Sequence, residues 1–179
     1  MKVDFEKLFV FRVFDPSKGP LVSALQFDED EIINHFTNRP QQEVSVENVI
    51  KGRITTEGAI RNAFIKKGGN PTSLYAIYFT VGYDVLDYII SNFSDPTYIK
   101  VPIKFFADKP VSFTYGNAAI ALFRRDHHDT TRKIYTYDEL GDLINHYGLY
   151  VEYDNHKSYI EMQLWDSSIL QDYNKYLID

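Results

Sequence analysis

The chain has 179 residues, with 19 Lys and Arg against 25 Asp and Glu, a formal charge of -6 at neutral pH. That length suits one domain around a single core, spanning 1–179, and the acidic balance supplies no global field toward nucleic acid or an anionic membrane. Cysteine is absent, which removes disulfides, thiolate metal sites and a cysteine nucleophile.

The first residues, Met1 to Lys7, carry acids where a signal peptide needs a basic run and an apolar stretch. No window approaches ~20 uninterrupted apolar residues. The expectation is a cytoplasmic protein without membrane contact. Leu8 to Phe14 reads L-F-V-F-R-V-F, an apolar run rich in Val and Phe that reads as a buried strand. Asp15-Pro16-Ser17-Lys18-Gly19-Pro20 ends it with turn chemistry. Residues 22 to 37 set Leu25, Phe27, Ile32, Ile33 and Phe36 among acids, the pattern of an amphipathic helix.

Thr55, Thr56 and Glu57 open a second helix, carrying Ile60, Phe64 and Ile65 and closing at Lys66-Lys67-Gly68-Gly69 as a C-cap. Leu74 to Val81 is a strand by composition, and a short helix follows Gly82. Tyr98 to Phe106 and Val111 to Tyr115 read as strands around the turn at Ala107 to Pro110. Asn117 to Phe123 suits either strand or helix, and Arg124 to Lys133 reads as a polar loop. Thr136 with Glu139 forms a capping box ahead of Leu140, Leu143 and Ile144, with Gly148 at the stop. Leu149 to Tyr153 and Tyr159 to Trp165 are strands joined by a polar turn, and a terminal helical segment carries Ile169, Leu170, Tyr173 and Leu177. Helices and strands mix without βαβ alternation. The pattern predicts an α+β domain with a mixed or mainly antiparallel sheet and about four to five helices.

Three positions draw attention as chemistry. Arg12 is a guanidinium inside an apolar strand, which needs a carboxylate or a ligand phosphate if buried and otherwise faces solvent from an edge strand. Ser112 and Thr114 share one face of their strand, either as polar contacts for a ligand or as a solvated surface. Tyr159, Glu161, Gln163 and Trp165 share one face of the last long strand, opposite Ile160, Met162 and Leu164. The first set reads as a polar-aromatic wall for a flat ligand or as the wet side of a sheet. His127-His128-Asp129 sits among Arg124, Arg125, Arg132 and Lys133, whose charge opposes a cation, so no metal is expected.

Together, Arg12, Ser112 with Thr114, and Glu161 resemble the motif order of the ADP-ribosyltransferase fold. The stretch Ile160-Glu161-Met162-Gln163-Leu164-Trp165 followed by Ser168-Ile169 resembles toxin-type members of the DNA-modifying group. The resemblance implies NAD as substrate and Glu161 as the catalytic residue, holding the nicotinamide ribose and stabilising an oxocarbenium-like transition state. It also implies NAD contacts at Arg12 and an ordering role for Ser112 and Thr114. Tyr159, Gln163 and Trp165 would then be cofactor-binding wall residues. Two features depart from the pattern: Tyr159 stands where arginine-modifying members place Glu or Gln, and the middle motif reads S-F-T instead of S-T-S.

Two functions follow as expectations. One is an NAD-dependent ADP-ribosyltransferase-like toxin or defence effector acting on a protein or nucleic-acid acceptor. The other is a non-catalytic binding protein or inhibitor of a mobile element, working through an acidic surface rich in the chain's 14 Tyr. As a wall residue, Trp165 is expected to contribute only ~1–2 kcal/mol to folding and to report ligand binding by its fluorescence.

Overall fold

The computed structural model describes residues 3–14, 16–26, 46–82, 97–123, 129–153 and 156–178. Seven strands make the sheet: β1 (Phe9–Phe14), β2 (Ile77–Val81), β3 (Thr97–Pro102), β4 (Val111–Tyr115), β5 (Tyr150–Tyr153), β6 (His156–Leu164) and β7 (Leu177–Ile178). Six of them run in the order β4-β6-β2-β1-β3-β7, and β5 pairs with the first half of β6 as a hairpin. Every pairing is antiparallel. The α+β expectation therefore holds, with one antiparallel sheet gathering strands from both ends of the chain.

Strand alternation divides the core in two. Val10, Phe79, Val81, Ile99, Val101, Phe113, Ile160, Met162 and Leu164 build one face. Helix α3 (Tyr137–Tyr147) covers it with Leu140, Leu143 and Ile144. On the other face, α1 (Val46–Lys66) presents Ile60 and Phe64, and the short α2 (Ala118–Phe123) presents Ala118 and Leu122. These pack with Ala76, Ile134 and Trp165. Because helices lie on both sides, all five residues of β4 are buried, whatever their parity. Burial of this apolar surface, at roughly 25 cal/mol per Å², is the main term favouring the fold.

Several boundaries shift for identifiable reasons. Helix α1 begins at Val46, not Thr55. The two threonines that read as an opening cap instead bond back one turn, Thr55 to the Lys51 carbonyl at 2.8 Å and Thr56 to Gly52 at 2.9 Å. At its end the expected C-cap is present, with the Gly69 amide donating to the Phe64 carbonyl at 3.0 Å. The strand expected to reach Phe106 ends at Pro102 and passes into a 3-10 turn, Ile103–Phe106. The ambiguous stretch after Asn117 is helical as α2.

The expected four to five helices are not reached among the described residues. Among the described residues there are two long helices, α1 and α3, and the short α2. The helix expected after Gly82 and most of that expected over 22–37 lie outside the described residues. The terminal segment forms two 3-10 turns, Ser167–Leu170 and Tyr173–Tyr176, before joining the sheet as β7. The first turn is capped by Asp166, which accepts from the Ser168 amide at 3.0 Å. No helix among the described residues is long and apolar enough to cross a membrane.

The capping box of α3 joins two helices. The Glu139 carboxylate accepts the Thr136 amide at 2.8 Å and the Lys67 ammonium, from the end of α1, at 2.6 Å. Glu139→Ala should lose about 1 kcal/mol, the usual value of such a cap, with little added by the half-exposed ion pair. Urea denaturation at neutral pH measures it, and Lys67→Ala should cost less than half as much.

Candidate active site

Glu161 lies in the middle of the sheet on β6, opposite Thr80 of β2 and Thr114 of β4. Its carboxylate accepts the Ala118 amide at 2.7 Å. That amide is in place because Gly116, at a φ of +100°, turns the chain sharply from β4 into α2. Few residues other than glycine adopt that backbone without strain. Burial pushes Glu161 from the ordinary 4.5 up to about 7, against the Ala118 hydrogen bond and the charge of Arg53, while Glu57 pushes in the same direction as burial.

Helix α1 brings two charged groups to this face. Arg53, Glu57, Ile60 and Phe64 follow the spacing of one helical stripe. Glu57 is only 2% exposed, and its carboxylate accepts the Ala76 amide at 3.1 Å. Its pKa is raised by burial, against hydrogen bonding and the charge of Arg53. Between the carboxylates lies Tyr78 of β2, with the Arg53 guanidinium 5.8 Å from its ring centroid. Burial, then the charges of Glu57 and Glu161, hold its phenol well above the ordinary value. The hydroxyl faces Glu57 closely enough to be coupled to it, yet meets no partner at good hydrogen-bond geometry.

A second set of polar groups lies beside this cluster and is closed on itself. Trp165 Nε1 donates to Ser112 Oγ at 2.9 Å, and Ser112 Oγ donates to Gln163 Oε1 at 2.9 Å. Gln163 Nε2 donates to Thr114 Oγ1 at 3.1 Å, and that hydroxyl donates to the Gly116 carbonyl at 2.9 Å. All four side chains are buried. Trp165 is 0% exposed and stacks on Phe64 with ring centroids 6.2 Å apart. The wall positions Gln163 and Trp165 and the ligand-contact positions Ser112 and Thr114 thus form an interior network. Alternation placed Gln163 and Trp165 on the Glu161 face, and the pairing of β4 with β6 adds Ser112 and Thr114 to it, but helices cover that face, and polar groups there must satisfy one another.

Arg12 is also corrected. Its guanidinium donates to the carbonyls of Pro20, Tyr78 at 2.9 Å and Val22 at 2.8 Å. Burial pulls it down to about 10, still protonated at neutral pH. Its register partner is Ile99, which places it on the face of Val10, opposite Glu161. The structure does not bring Arg12 and Glu161 together. Tyr159 is half-buried at the outer end of the Glu161 face. His127 and His128 lie outside the described residues, and no group of three metal-ligating side chains assembles among the described ones.

Arg53, Glu57 and Tyr78 are the functional candidates that the sequence did not single out. One signal was present: a charged pair four residues apart on the apolar stripe of α1. It is hidden because Thr55 and Thr56 read as the start of the helix, which makes Glu57 an ordinary first-turn acid. Two clefts open elsewhere, one by Phe5 and Tyr137 and one by Gly69 and Lys109, and neither includes the acid cluster. Both are open to solvent and lack buried acids, so the cluster is the better candidate. No protein-family model, curated protein or solved structure matches the chain.

Two expectations follow. The folded state holds the Glu161 proton more tightly than the unfolded chain, so this contribution is complete below about pH 4.5 and is lost as pH rises through about 7. The loss is roughly 3 kcal/mol from the size of the shift. Melting between pH 4 and 8 should show a shallower decline in Glu161→Gln, which keeps an acceptor for Ala118 without the charge. Trp165→Ala should cost ~3–5 kcal/mol in denaturant titrations, the range of a fully buried aromatic. That exceeds the wall-residue expectation, and Trp165 emission should be that of a dry interior.

Proposed function

We propose that the protein transfers ADP-ribose from NAD, with Glu161 as the catalytic carboxylate. The observation that carries this reading is Glu161 itself, a half-exposed side chain whose carboxylate sits in a desolvated place and is oriented by one backbone amide. Burying a carboxylate costs stability, and acids shifted by desolvation in this way cluster at functional sites. A fixed anion in a low-dielectric site is the feature needed where positive charge develops on a sugar carbon. The late-strand Glu of the resemblance supports the same assignment.

The roles around it change. Arg12 is engaged with carbonyls, so Arg53 is the guanidinium on this face. It balances the two carboxylates in the free protein and meets the dinucleotide's pyrophosphate in the complex. Ser112, Thr114, Gln163 and Trp165 act from beside Glu161 on the same face, holding β4 and β6 in register so that Glu161 and Ala118 stay aligned. Such support fixes orientation without touching substrate. The acceptor is a protein or a nucleic acid.

Nicotinamide release from NAD, followed chromatographically, tests the reading. Glu161→Gln should lower the rate by ~100-fold or more while circular dichroism stays unchanged. Only the ionised carboxylate stabilises the cationic sugar, so the wild-type rate should rise with pH through about 7, where Glu161 loses its proton. Failure of the wild type to turn over NAD would leave the non-catalytic binding role in its place.

A further inference from the structure

We infer that Tyr78 and Glu57 form the acceptor-activating half of this site, the Tyr78 hydroxyl passing a proton from the attacking nucleophile to Glu57. The inference rests on the glycosyl-transfer reading and extends it to the second substrate. It begins from the Tyr78 hydroxyl, a buried oxygen that faces the Glu57 carboxylate but meets no partner at good hydrogen-bond geometry. An unsatisfied buried hydroxyl is costly, and phenylalanine would fill the same space without that penalty. Glu57 makes a parallel case. It occupies a position on the Ile60 and Phe64 stripe where a leucine would pack, yet it is a carboxylate held by the Ala76 amide. Two such groups side by side, next to the second carboxylate, Glu161, are poorly explained by packing.

Position supplies the rest. Tyr78 is opposite Gln163 on β6, and two residues along β2 Thr80 is opposite Glu161. The phenol therefore stands between the carboxylate of α1 and the carboxylate of β6, and both act on it electrostatically. Tyr78 and Glu161 both keep partial exposure, so a nucleophile that reaches the Tyr78 oxygen is within the same small cluster as a sugar held by Glu161.

The step balances without any further reagent. The lone pair of an acceptor O–H or N–H forms the bond to the anomeric carbon as the bond from that carbon to the nicotinamide nitrogen breaks. The breaking pair stays on the ring nitrogen and cancels its positive charge. The acceptor's proton moves to the Tyr78 oxygen while the phenolic proton moves to Glu57. Because its phenol is held well above the ordinary value, Tyr78 gives up a proton only as it receives one. Two carboxylates around the nucleophile's place also define the acceptor class. A neutral hydroxyl or nitrogen is admitted, and an anionic nucleophile is repelled.

Tyr78→Phe is the test, with water as acceptor and NAD as donor. The variant should melt at or above the wild-type temperature, because it removes an unsatisfied group. Its kcat for nicotinamide release should fall ~100-fold, within the usual range for proton-transfer catalysis, with KM for NAD within about twofold. The wild type should slow in D2O and the variant should not; Glu57→Gln, which keeps an acceptor for Ala76, should behave likewise. A Tyr78→Phe kcat within about twofold of wild type overturns the relay while leaving the role of Glu161 intact. A raised KM alone makes the hydroxyl a donor-binding group, and a clear drop in melting temperature makes it structural; either result also overturns the relay. Absence of NAD turnover in the wild type removes the glycosyl-transfer reading and the relay together.

Discussion

From Glu161 to Leu164, β6 is paired along both edges, with β2 on one side and β4 on the other. It is also covered on both faces, by α3 below and by α1 and α2 above. A strand whose alternate residues are polar is therefore largely shut off from water, Glu161 alone of these residues keeping partial exposure. Each of those polar groups must find a partner inside the protein or remain unsatisfied at a cost of about 1–3 kcal/mol. Most of the molecule's organisation on this face answers that constraint.

It is answered in two ways along the same strand. At the inner end, Trp165, Ser112, Gln163 and Thr114 pass donors to acceptors until the chain ends on the Gly116 carbonyl. A network completed in this way rigidifies a core and specifies its register. At the outer end, Glu161, Glu57, Tyr78 and Arg53 are bound together by charge, with a hydroxyl left over and two carboxylates held against desolvation. The contrast between a saturated network and an adjacent unsaturated one separates scaffold from candidate chemistry. Either set alone would be less informative.

Arg12 shows the same physics on the other side of the sheet. Pairing between β1 and β2 is recorded at Val10 with Val81 and Phe11 with Thr80. Next along the strand, the Arg12 guanidinium takes the Tyr78 carbonyl and binds the carbonyls of Pro20 and Val22 as well. A charged side chain thus continues a backbone ladder and fastens the loop after β1 to the sheet. Its buried position is balanced by carbonyl dipoles instead of a counter-ion. No ligand is needed to account for it.

Local pattern was sufficient for much of the fold. Apolar alternation on β6, the V-S-F-T-Y strand and the capping box of α3 were all legible, because each depends on neighbours within a turn or on period-two spacing. So was the prominence of Glu161, an acid flanked by core residues. The start of α1 was obscured by threonines whose hydroxyls have both capping and back-bonding options within a few residues. What the sequence determined by itself was which residues share a face. Tertiary structure alone decided which faces are covered, because that depends on where α1 and α2 pack against strands far away in the chain. That packing turned the expected wall into interior, separated Arg12 from Glu161, and brought Arg53, Glu57 and Tyr78 beside the carboxylate.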